Sequence, residues 1–192
     1  MDQSLITRVP QAYDSLVLKS NKIGFSMPSD VYIGSLLKTL IASKPKGNFL
    51  ELGTGMGLSL SWMVDGMDSQ SSLTTVDNDS NLIKIVKAYF ENDDRVTIIC
   101  QDGGDWIEKY QGNRFDLIFA DAWPGKYSHL ENLLKLIKPG GIYVVDDMLE
   151  QPNWPNGHND NVVRLLEQLE EREDIELTKM EWSTGIVIAV KK

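Results

Sequence analysis

Three glycines recur at alternate positions in residues 49–59, and they are Gly53, Gly55 and Gly57. A glycine permits the positive φ angles and the close approach to a ligand that a strand-to-helix turn requires. A helix that begins after such a turn presents unpaired backbone N–H groups to a bound molecule. The spacing therefore indicates a turn that binds a ligand, although a tight turn with no ligand would contain the same glycines.

The order of these glycines separates two classes of ligand. A dinucleotide-binding turn has its third glycine three residues after the second, but that position is Leu58 here, and the third glycine is Gly57. Glu51 places a negative charge just before the turn, which disfavours a pyrophosphate and suits a ligand with an ammonium or sulfonium group. A nicotinamide-dependent oxidoreductase is therefore the disfavoured alternative.

Asp77 is predicted to end the second strand, twenty residues after Gly57. A carboxylate at this place can accept hydrogen bonds from both hydroxyls of a ribose. The residues that follow, Asn78, Asp79 and Ser80, also fit a turn or a helix N-cap. The pattern favours ribose binding, with a structural turn as the alternative.

Polar and aromatic residues also follow the third and fourth predicted strands. Asp102, with Gly103 beside it, could accept a hydrogen bond from an adenine amino group. Trp123 could stack on an adenine ring. The structural alternatives are a turn residue at Asp102 and a side chain that packs a loop at Trp123.

The elements that position these residues alternate along the chain. Short apolar runs are typical of strands covered on both faces, and segments of helical spacing, such as residues 31–42 after a possible Asp30 cap, lie between them. Five strand–helix units in series predict an α/β fold with a doubly wound, mainly parallel sheet, whose ligands bind beyond the carboxyl ends of the strands. The predicted strands are 48–52, 73–76, 96–100, 115–120, 142–145, 175–180 and 185–190, and the predicted helices are 31–42, 58–67, 81–90, 105–110, 127–137 and 161–171.

Length and composition fit a single domain over residues 1–192, with residues 1–29 as an N-terminal arm or cap. The net charge is −9 and no basic footprint is visible, so a nucleic-acid partner is disfavoured. Cys100 is the only cysteine, which excludes an intrachain disulfide and fits a buried strand residue. We find no signal peptide and no run of about 18 apolar residues, and therefore expect no membrane partner and a cytoplasmic location.

Taken together, these segments resemble the class I S-adenosylmethionine (SAM)-dependent methyltransferases, and within them the small cation-dependent O-methyltransferases of the catechol and caffeoyl-coenzyme A type. The matching parts are residues 49–59, Asp77, residues 115–121 and residues 136–147, and the similarity covers residues 30–192. The resemblance implies a Rossmann-like sheet of seven strands with the last strand antiparallel. The residues it places at the SAM site, with their neighbours, are Glu51, Gly53, Thr54, Gly55, Gly57, Ser59, Asp77, Asn78, Asp102, Gly103, Asp121 and Trp123.

The metal ligands of this family also have counterparts at the ends of the fourth and fifth strands. By the resemblance, Asp121, Asp146 and Asp147 would bind Mg²⁺, Mn²⁺ or Ca²⁺. The family usually has Asp-Asn in place of Asp146-Asp147, and its usual lysine is Pro124 here. Metal dependence therefore stays open, because the acidic pair also fits a strand end that approaches SAM without a metal.

The expected reaction is an in-line attack by a hydroxyl oxygen of a small-molecule acceptor on the methyl carbon of SAM. A divalent ion would lower the pKa of that hydroxyl; without one, Lys126 or His158 could act as the base. His129 is expected to be a surface residue of a helix. The predicted catalytic residues are Asp121, Lys126 and His158.

Two further functions stay open at this point. The chain could be a SAM-dependent methyltransferase that acts on nitrogen or on a macromolecule, or a SAM-binding module without catalysis. The sequence does not determine the acceptor, because the acceptor contacts are expected in the N-terminal arm and in the loop over residues 146–160. It does not determine the oligomeric state either, and a homodimer is one possibility.

Overall fold

The computed structural model describes residues 6, 8–152 and 154–192. The helices are α1 (Tyr13–Ile23), α2 (Val31–Ala42), α3 (Leu58–Gly66), α4 (Ser80–Phe90), α5 (Gly103–Lys109), α6 (Leu130–Lys135) and α7 (His158–Glu170). The strands are β1 (Asn48–Leu52), β2 (Ser72–Asp77), β3 (Val96–Cys100), β4 (Phe115–Ala120), β5 (Ile137–Val145), β6 (Ile175–Met180) and β7 (Ile186–Lys191). Among the helices that the structure describes, none has the length and apolar character needed to cross a membrane.

These strands form one sheet with the order β3-β2-β1-β4-β5-β7-β6. Strands β1 to β5 are parallel, whereas β7 is antiparallel to both of its neighbours, β5 and β6. The predicted doubly wound sheet with an antiparallel last strand is thus confirmed. Since β1 lies between β2 and β4, the strand order reverses beside β1, and ligands of such sheets bind in the crevice at that switch point.

Helices cover both faces of the sheet because successive side chains of a strand point to opposite faces. In β1, Leu50 and Leu52 pack into an apolar cluster with residues of α5, α6 and α7. Phe49 packs into a second cluster with residues of α1, α2, α3 and α4. All three side chains are buried, so the strand needs apolar residues on both of its faces, as its sequence shows.

The N-terminal arm predicted over residues 1–29 contains α1 in its described part. Tyr13 and Leu16 of α1 are buried, and the Tyr13 ring meets the Trp62 ring of α3 edge-on, with centroids 5.5 Å apart. Helix α1 is thereby part of the second apolar cluster. Residues 1–5 and 7 of the predicted arm lie outside the described residues.

The region before β5 differs from its prediction. The helix predicted over 127–137 is the shorter α6, which begins after His129, a residue with a left-handed φ of 57°. The strand predicted at 142–145 begins at Ile137, because Ile137 already pairs with Phe115 of β4 before the register shifts. The Pro139-Gly140-Gly141 segment is therefore an irregularity within β5 and does not precede it.

Cys100 is exposed, so the prediction of a buried cysteine is wrong. It is the last residue of β3, and β3 lies at the edge of the sheet with β2 as its single neighbour. An apolar run alone does not distinguish such an edge strand from a central one.

Candidate active site

A cavity of about 850 Å³ opens at the carboxyl ends of β1, β2, β3, β4 and β5. Except for Glu51 and Gly57, every residue predicted to bind a cofactor lines this cavity, as do all the predicted catalytic and metal-binding residues. The structure thus brings residues from five strand ends to one place, while the role of each stays a prediction. The predicted residues that line it are Gly53, Thr54, Gly55, Ser59, Asp77, Asn78, Asp102, Gly103, Asp121, Trp123, Lys126, Asp146, Asp147 and His158.

The glycine turn after β1 lies against the ends of both neighbouring strands. The Gly53 N–H donates a hydrogen bond to the Val76 carbonyl of β2 at 2.9 Å. Gly53 has a φ of +97°, and a Cβ built there would lie 2.4 Å from the carbonyl oxygen of Asp121. Only glycine fits this close approach, because any side chain would displace the end of β4.

Asp77 has a structural role in the glycine turn and also lines the cavity. The sequence left a turn residue and a ligand-binding residue as alternatives, and the position of Asp77 is compatible with both. Its Oδ2 accepts a hydrogen bond from the Gly55 N–H at 2.8 Å, and its Oδ1 accepts one from the Asp79 N–H at 2.9 Å. The N-cap of α4 is Asp79 and not Asp77. A carboxylate has about four acceptor positions, so Asp77 holds the glycine turn and keeps acceptor capacity for a ligand.

Glu51 lies beneath the glycine turn and does not line the cavity. It is fully buried, and its two carboxylate oxygens accept hydrogen bonds from the hydroxyls of Ser59 and Thr75, each at 2.6 Å. The Thr75 hydroxyl also contacts that of Thr54 at 2.6 Å. Burial raises the pKa of Glu51 to about 7. Glu51 therefore supports the turn from below, and the direct contact with a cationic ligand expected from its position is not available.

Gly57 is also set back from the cavity. It is the N-cap residue of α3, with a φ of +79°, and a Cβ there would lie 3.2 Å from the Val86 side chain of α4. The start of α3 and the close packing against α4 therefore explain why residue 57 is a glycine.

Asp102 and Trp123, the predicted adenine contacts, line the cavity in different ways. Asp102 is the N-cap of α5 and accepts a hydrogen bond from the Asp105 N–H at 3.0 Å. Trp123 is 52% exposed at the cavity mouth, and its ring centroid lies 5.0 Å from that of Tyr127 and 6.1 Å from that of His158. A half-exposed ring of this kind has a free face on which a planar ligand can stack.

His158 completes an aromatic cluster at this mouth, made of Trp123, Tyr127, Trp154 and His158. Its ring centroid lies 4.4 Å from that of Trp154 and 5.2 Å from that of Tyr127. Burial, followed by the charge of Lys126, lowers the pKa of His158, so the neutral imidazole is the main form at neutral pH. Tyr127 and Trp154 were not predicted as site residues, because their positions depend on how two separate loops pack.

His129 lines the cavity as well, which differs from the surface position predicted for it. Its Nε2 lies 3.3 Å from Glu108, and its Nδ1 lies 3.0 Å from the Ser128 hydroxyl. These contacts hold it at the start of α6, away from the acidic residues described next.

Three carboxylates and one ammonium group share the floor of the cavity. Burial raises the pKa of Asp121 well above its usual value, the ammonium of Lys126 lowers it, and Asp146 and Asp147 raise it. Burial likewise raises the pKa of Asp146 to about 6, against hydrogen bonding from Thr184. Lys126 is only 5% exposed and donates a hydrogen bond to the Asp146 carbonyl oxygen at 2.7 Å.

These carboxylates do not fit the metal site that the family resemblance implies. In the part of the chain that the structure describes, no three Asp, Glu, His or Cys side chains are grouped so as to hold a metal ion. Asp146 Oδ1 is already an acceptor for the Asp147 N–H and the Thr184 hydroxyl, and the same cavity floor contains the Lys126 ammonium. We therefore derive no step through a metal.

A segment before α2 also reaches the cavity, and it belongs to the N-terminal arm in which acceptor contacts are expected. Residues 25–30, here called the strap, line one side of it. A Cβ built at Gly55 would lie 3.2 Å from the Phe25 ring, and the Ser29 hydroxyl lies 3.5 Å from Asp121 Oδ2. The strap ends at Asp30, which caps α2 as predicted.

Comparison with known protein families identifies the family to which this chain belongs. Residues 50–148, about half of the chain, match the model of a family described as a methyltransferase domain. The chain belongs to this family. The matched part of this methyltransferase domain runs from β1 into the loop after β5 and so contains the glycine turn, Asp77 and the cavity floor.

Curated relatives of this methyltransferase domain carry the name "Putative O-methyltransferase". The one from Mycobacterium avium is 28% identical over 118 residues, which cover 59% of this chain and 53% of the relative. The one from Mycolicibacterium vanbaalenii is 30% identical over 118 residues, with 59% and 52% covered. The chain thus matches about half the length of these curated relatives.

Solved structures share the fold of this methyltransferase domain over nearly its whole length. An O-methyltransferase from Bacillus cereus in complex with S-adenosylhomocysteine (SAH) has a TM-score of 0.84 at 21% identity, with 98% of this chain and 94% of that chain covered. The O-methyltransferase TomG from Streptomyces achromogenes, in complex with SAM, has a TM-score of 0.81 at 22% identity, with 98% and 93% covered. At this level of identity the similarity shows the fold alone.

Proposed function

We propose that this protein binds SAM in the 850 Å³ cavity and transfers its methyl group to a hydroxyl oxygen of a small-molecule acceptor. The observation that carries the proposal is the glycine turn, held between the ends of β2 and β4, directly beside the Asp77 carboxylate. Glycines at positions 53 and 55 let the turn backbone lie close to Asp121 and to the Phe25 ring, at the edge of the cavity. Membership of the methyltransferase-domain family supports methyl transfer.

The cavity residues fit the parts of SAM in a consistent order. We assign the turn at Gly53 and Gly55 to the methionine end and the remaining acceptor positions of Asp77 to the ribose hydroxyls. Asp102 and the free face of Trp123 then lie where an adenine would extend along the cavity wall. We assign Asp121 to the sulfonium, because its backbone lies directly against Gly53 of the turn.

The acceptor would enter through the aromatic cluster. The rings of Trp123, Tyr127 and Trp154 offer flat apolar walls, which favour a planar acceptor by stacking and by burial of apolar surface. With a net charge of −9 and an acidic cavity floor, the protein is poorly suited to a nucleic-acid acceptor.

When bound, SAM supplies an electrophilic methyl group: the acceptor oxygen forms its bond to the methyl carbon as the carbon–sulfur bond breaks and the electron pair stays on sulfur. The protein aligns the two partners and removes the proton of the acceptor hydroxyl. We propose His158 as the base, because it lines the cavity and its lowered pKa favours the neutral imidazole. The proton then resides on an imidazole nitrogen until solvent takes it.

Isothermal titration calorimetry with SAH tests the binding half of the proposal, and SAH release with a panel of catechols, phenols and aliphatic alcohols tests the transfer half. SAH binding together with turnover of a hydroxyl compound is the expected result. SAH binding without turnover of any oxygen or nitrogen acceptor would favour a SAM-binding module without catalysis. Turnover of amines alone would show that the methyl acceptor is a nitrogen atom and not a hydroxyl oxygen.

Two finer proposals concern the state of the protein in the cell. We propose a cytoplasmic location, which cell fractionation would test. A homodimer is the oligomer to test for, and sedimentation equilibrium of the purified protein distinguishes it from a monomer.

A further inference from the structure

Lys126 is a buried cation that the assignments above leave without a ligand. Its side chain is only 5% exposed, and its Nζ donates one hydrogen bond, to the Asp146 carbonyl oxygen at 2.7 Å. Among the ion pairs of the described residues none includes Lys126, so no carboxylate lies within 4.0 Å of its ammonium. An ammonium has three N–H donors, which leaves two of them for another partner at this cavity.

Burial of a charged amine is unfavourable unless hydrogen bonds and nearby opposite charges compensate it. Lys138, which is partly exposed, pairs directly with the Asp116 carboxylate at 2.6 Å. Lys126 instead lines the cavity together with Asp121, Asp146 and Asp147. It is thus close enough to these carboxylates to lower the pKa of Asp121, and its ammonium also lies 5.5 Å from the centroid of the Tyr127 ring. Two of its N–H donors have no hydrogen-bond partner among the described residues.

The loop that carries Lys126 is held firmly on both sides. The Gly125 N–H donates to the Ser128 carbonyl at 2.7 Å, and the hydroxyl of the buried Tyr143 donates to the Gly125 carbonyl. Gly125 has a φ of +91°, and a Cβ there would lie 2.7 Å from Leu52. Such a fixed backbone directs the Lys126 side chain into the acidic floor with little freedom to turn away.

We propose that the Lys126 ammonium binds the acceptor oxygen and supplies the positive charge there, so that methyl transfer by this protein needs no divalent cation. This inference rests on the proposed function and specifies how its acceptor is held. Lys126 stays protonated throughout and donates a hydrogen bond to the oxygen that attacks the methyl carbon. The hydroxyl proton goes to His158, and the ammonium stabilises the negative charge that develops on the oxygen.

The first test uses the wild-type protein, stripped with EDTA and titrated with Mg²⁺ or Mn²⁺. We expect neither ion to change the melting temperature, and we expect EDTA to leave the rate of SAH release with the fastest acceptor of the panel unchanged. A melting temperature that rises to saturation with either ion, and that no longer does so in Asp146→Asn, would overturn the inference. This test involves no Lys126 variant, so it decides the question even if such variants fold poorly.

The second test compares Lys126→Met with Lys126→Arg, and uses the exposed Lys135→Met as the matched control. Lys126→Met should bind SAH with wild-type affinity while kcat falls by roughly a hundredfold, the usual effect of removing one preorganised donor. Lys126→Arg should recover part of that loss, and Lys135→Met should match the wild type. A Lys126→Met protein with wild-type kcat, or one that loses SAH affinity as strongly as activity, would contradict the inference.

SAH binding separates this inference from the proposed function. If the wild-type protein binds no SAH, the proposed function fails and this inference fails with it. If it binds SAH and transfers methyl groups only with a divalent cation, the proposed function stands and the inference alone is wrong.

Discussion

Replacement of Asp77 by alanine separates a ligand contact from a structural one. Asp77 accepts hydrogen bonds from two backbone N–H groups, at 2.8 and 2.9 Å. Loss of a side-chain acceptor for backbone N–H groups at a helix N-cap costs about 0.5–2 kcal/mol of unfolding free energy, and we expect a similar cost here. If the same carboxylate also holds the ribose of SAM, its loss removes charge-assisted hydrogen bonds worth about 1.5–3 kcal/mol. We therefore expect a modest fall in stability and a weakening of SAH binding by tenfold or more.

The assay is calorimetry with SAH, together with urea unfolding of the same preparations. Asp68→Ala is the matched control, because Asp68 also accepts two backbone N–H hydrogen bonds, at 2.7 and 2.8 Å, but does not line the cavity. Asp68→Ala should lose a similar part of the unfolding free energy and bind SAH normally. If folded Asp77→Ala binds SAH with unchanged affinity, the ribose assignment is refuted and Asp77 is a turn residue.

Three further predictions concern the turn, the buried carboxyl and the base. Gly53→Ala should lower the melting temperature and the SAH affinity, because the added Cβ would lie 2.4 Å from the Asp121 carbonyl oxygen. Gly140→Ala is the control for backbone strain alone, because Gly140 has a φ of +75° and no atom lies within 4 Å of its added Cβ. Burial raises the pKa of Glu51 from an ordinary value of 4.5 to about 7, so its contribution to stability is complete below about pH 4.5 and is lost as the pH rises to about 7. Unfolding of Glu51→Gln over this range should show a weaker pH dependence than the wild type. His158→Asn should keep SAH binding and lose most of the methyl transfer, and wild-type kcat should fall as the pH drops below the lowered pKa of His158; an unchanged acidic limb in the variant would exclude His158 as the base.

The sequence predicted the strand ends of the site well, because in a parallel sheet the residues after successive strands meet at one edge. Gly53, Asp77 and Asp121 could therefore be placed together from the order of the elements alone. The family resemblance is confirmed by the matched domain. The direction in which each side chain points was harder to predict from the sequence. Glu51 precedes the turn as expected, but its side chain points into the interior toward Thr75 and not toward the cavity.

The parts that the sequence could not place depend on packing between distant segments. The strap at residues 25–30 reaches the cavity because α1 docks on Trp62, and no local pattern in residues 25–30 reports that docking. Cys100 is exposed because β3 lies at the edge of the sheet, a property of strand order and not of the residues in β3. Lys126, five positions after Asp121, was predicted as a base for a reaction without a metal, but its burial beside the acidic residues depends on how the loop after β4 packs.

The place of β7 in the sheet has a consequence for how this chain acquires its structure during synthesis. β7 is inserted between β5 and β6, so one side of β5 lacks its hydrogen-bonding partner until residues 186–191 have left the ribosome. β6 and β7 can first pair with each other as a hairpin of short sequence separation, which forms quickly, and this hairpin then docks on β5 as a unit. Until it does so, the free edge of β5 can pair with other chains. Because Asp146 directly follows β5 and bonds to Thr184 just before β7, the floor of the cavity is completed only in this last step, after the glycine turn and Asp77 are already in place.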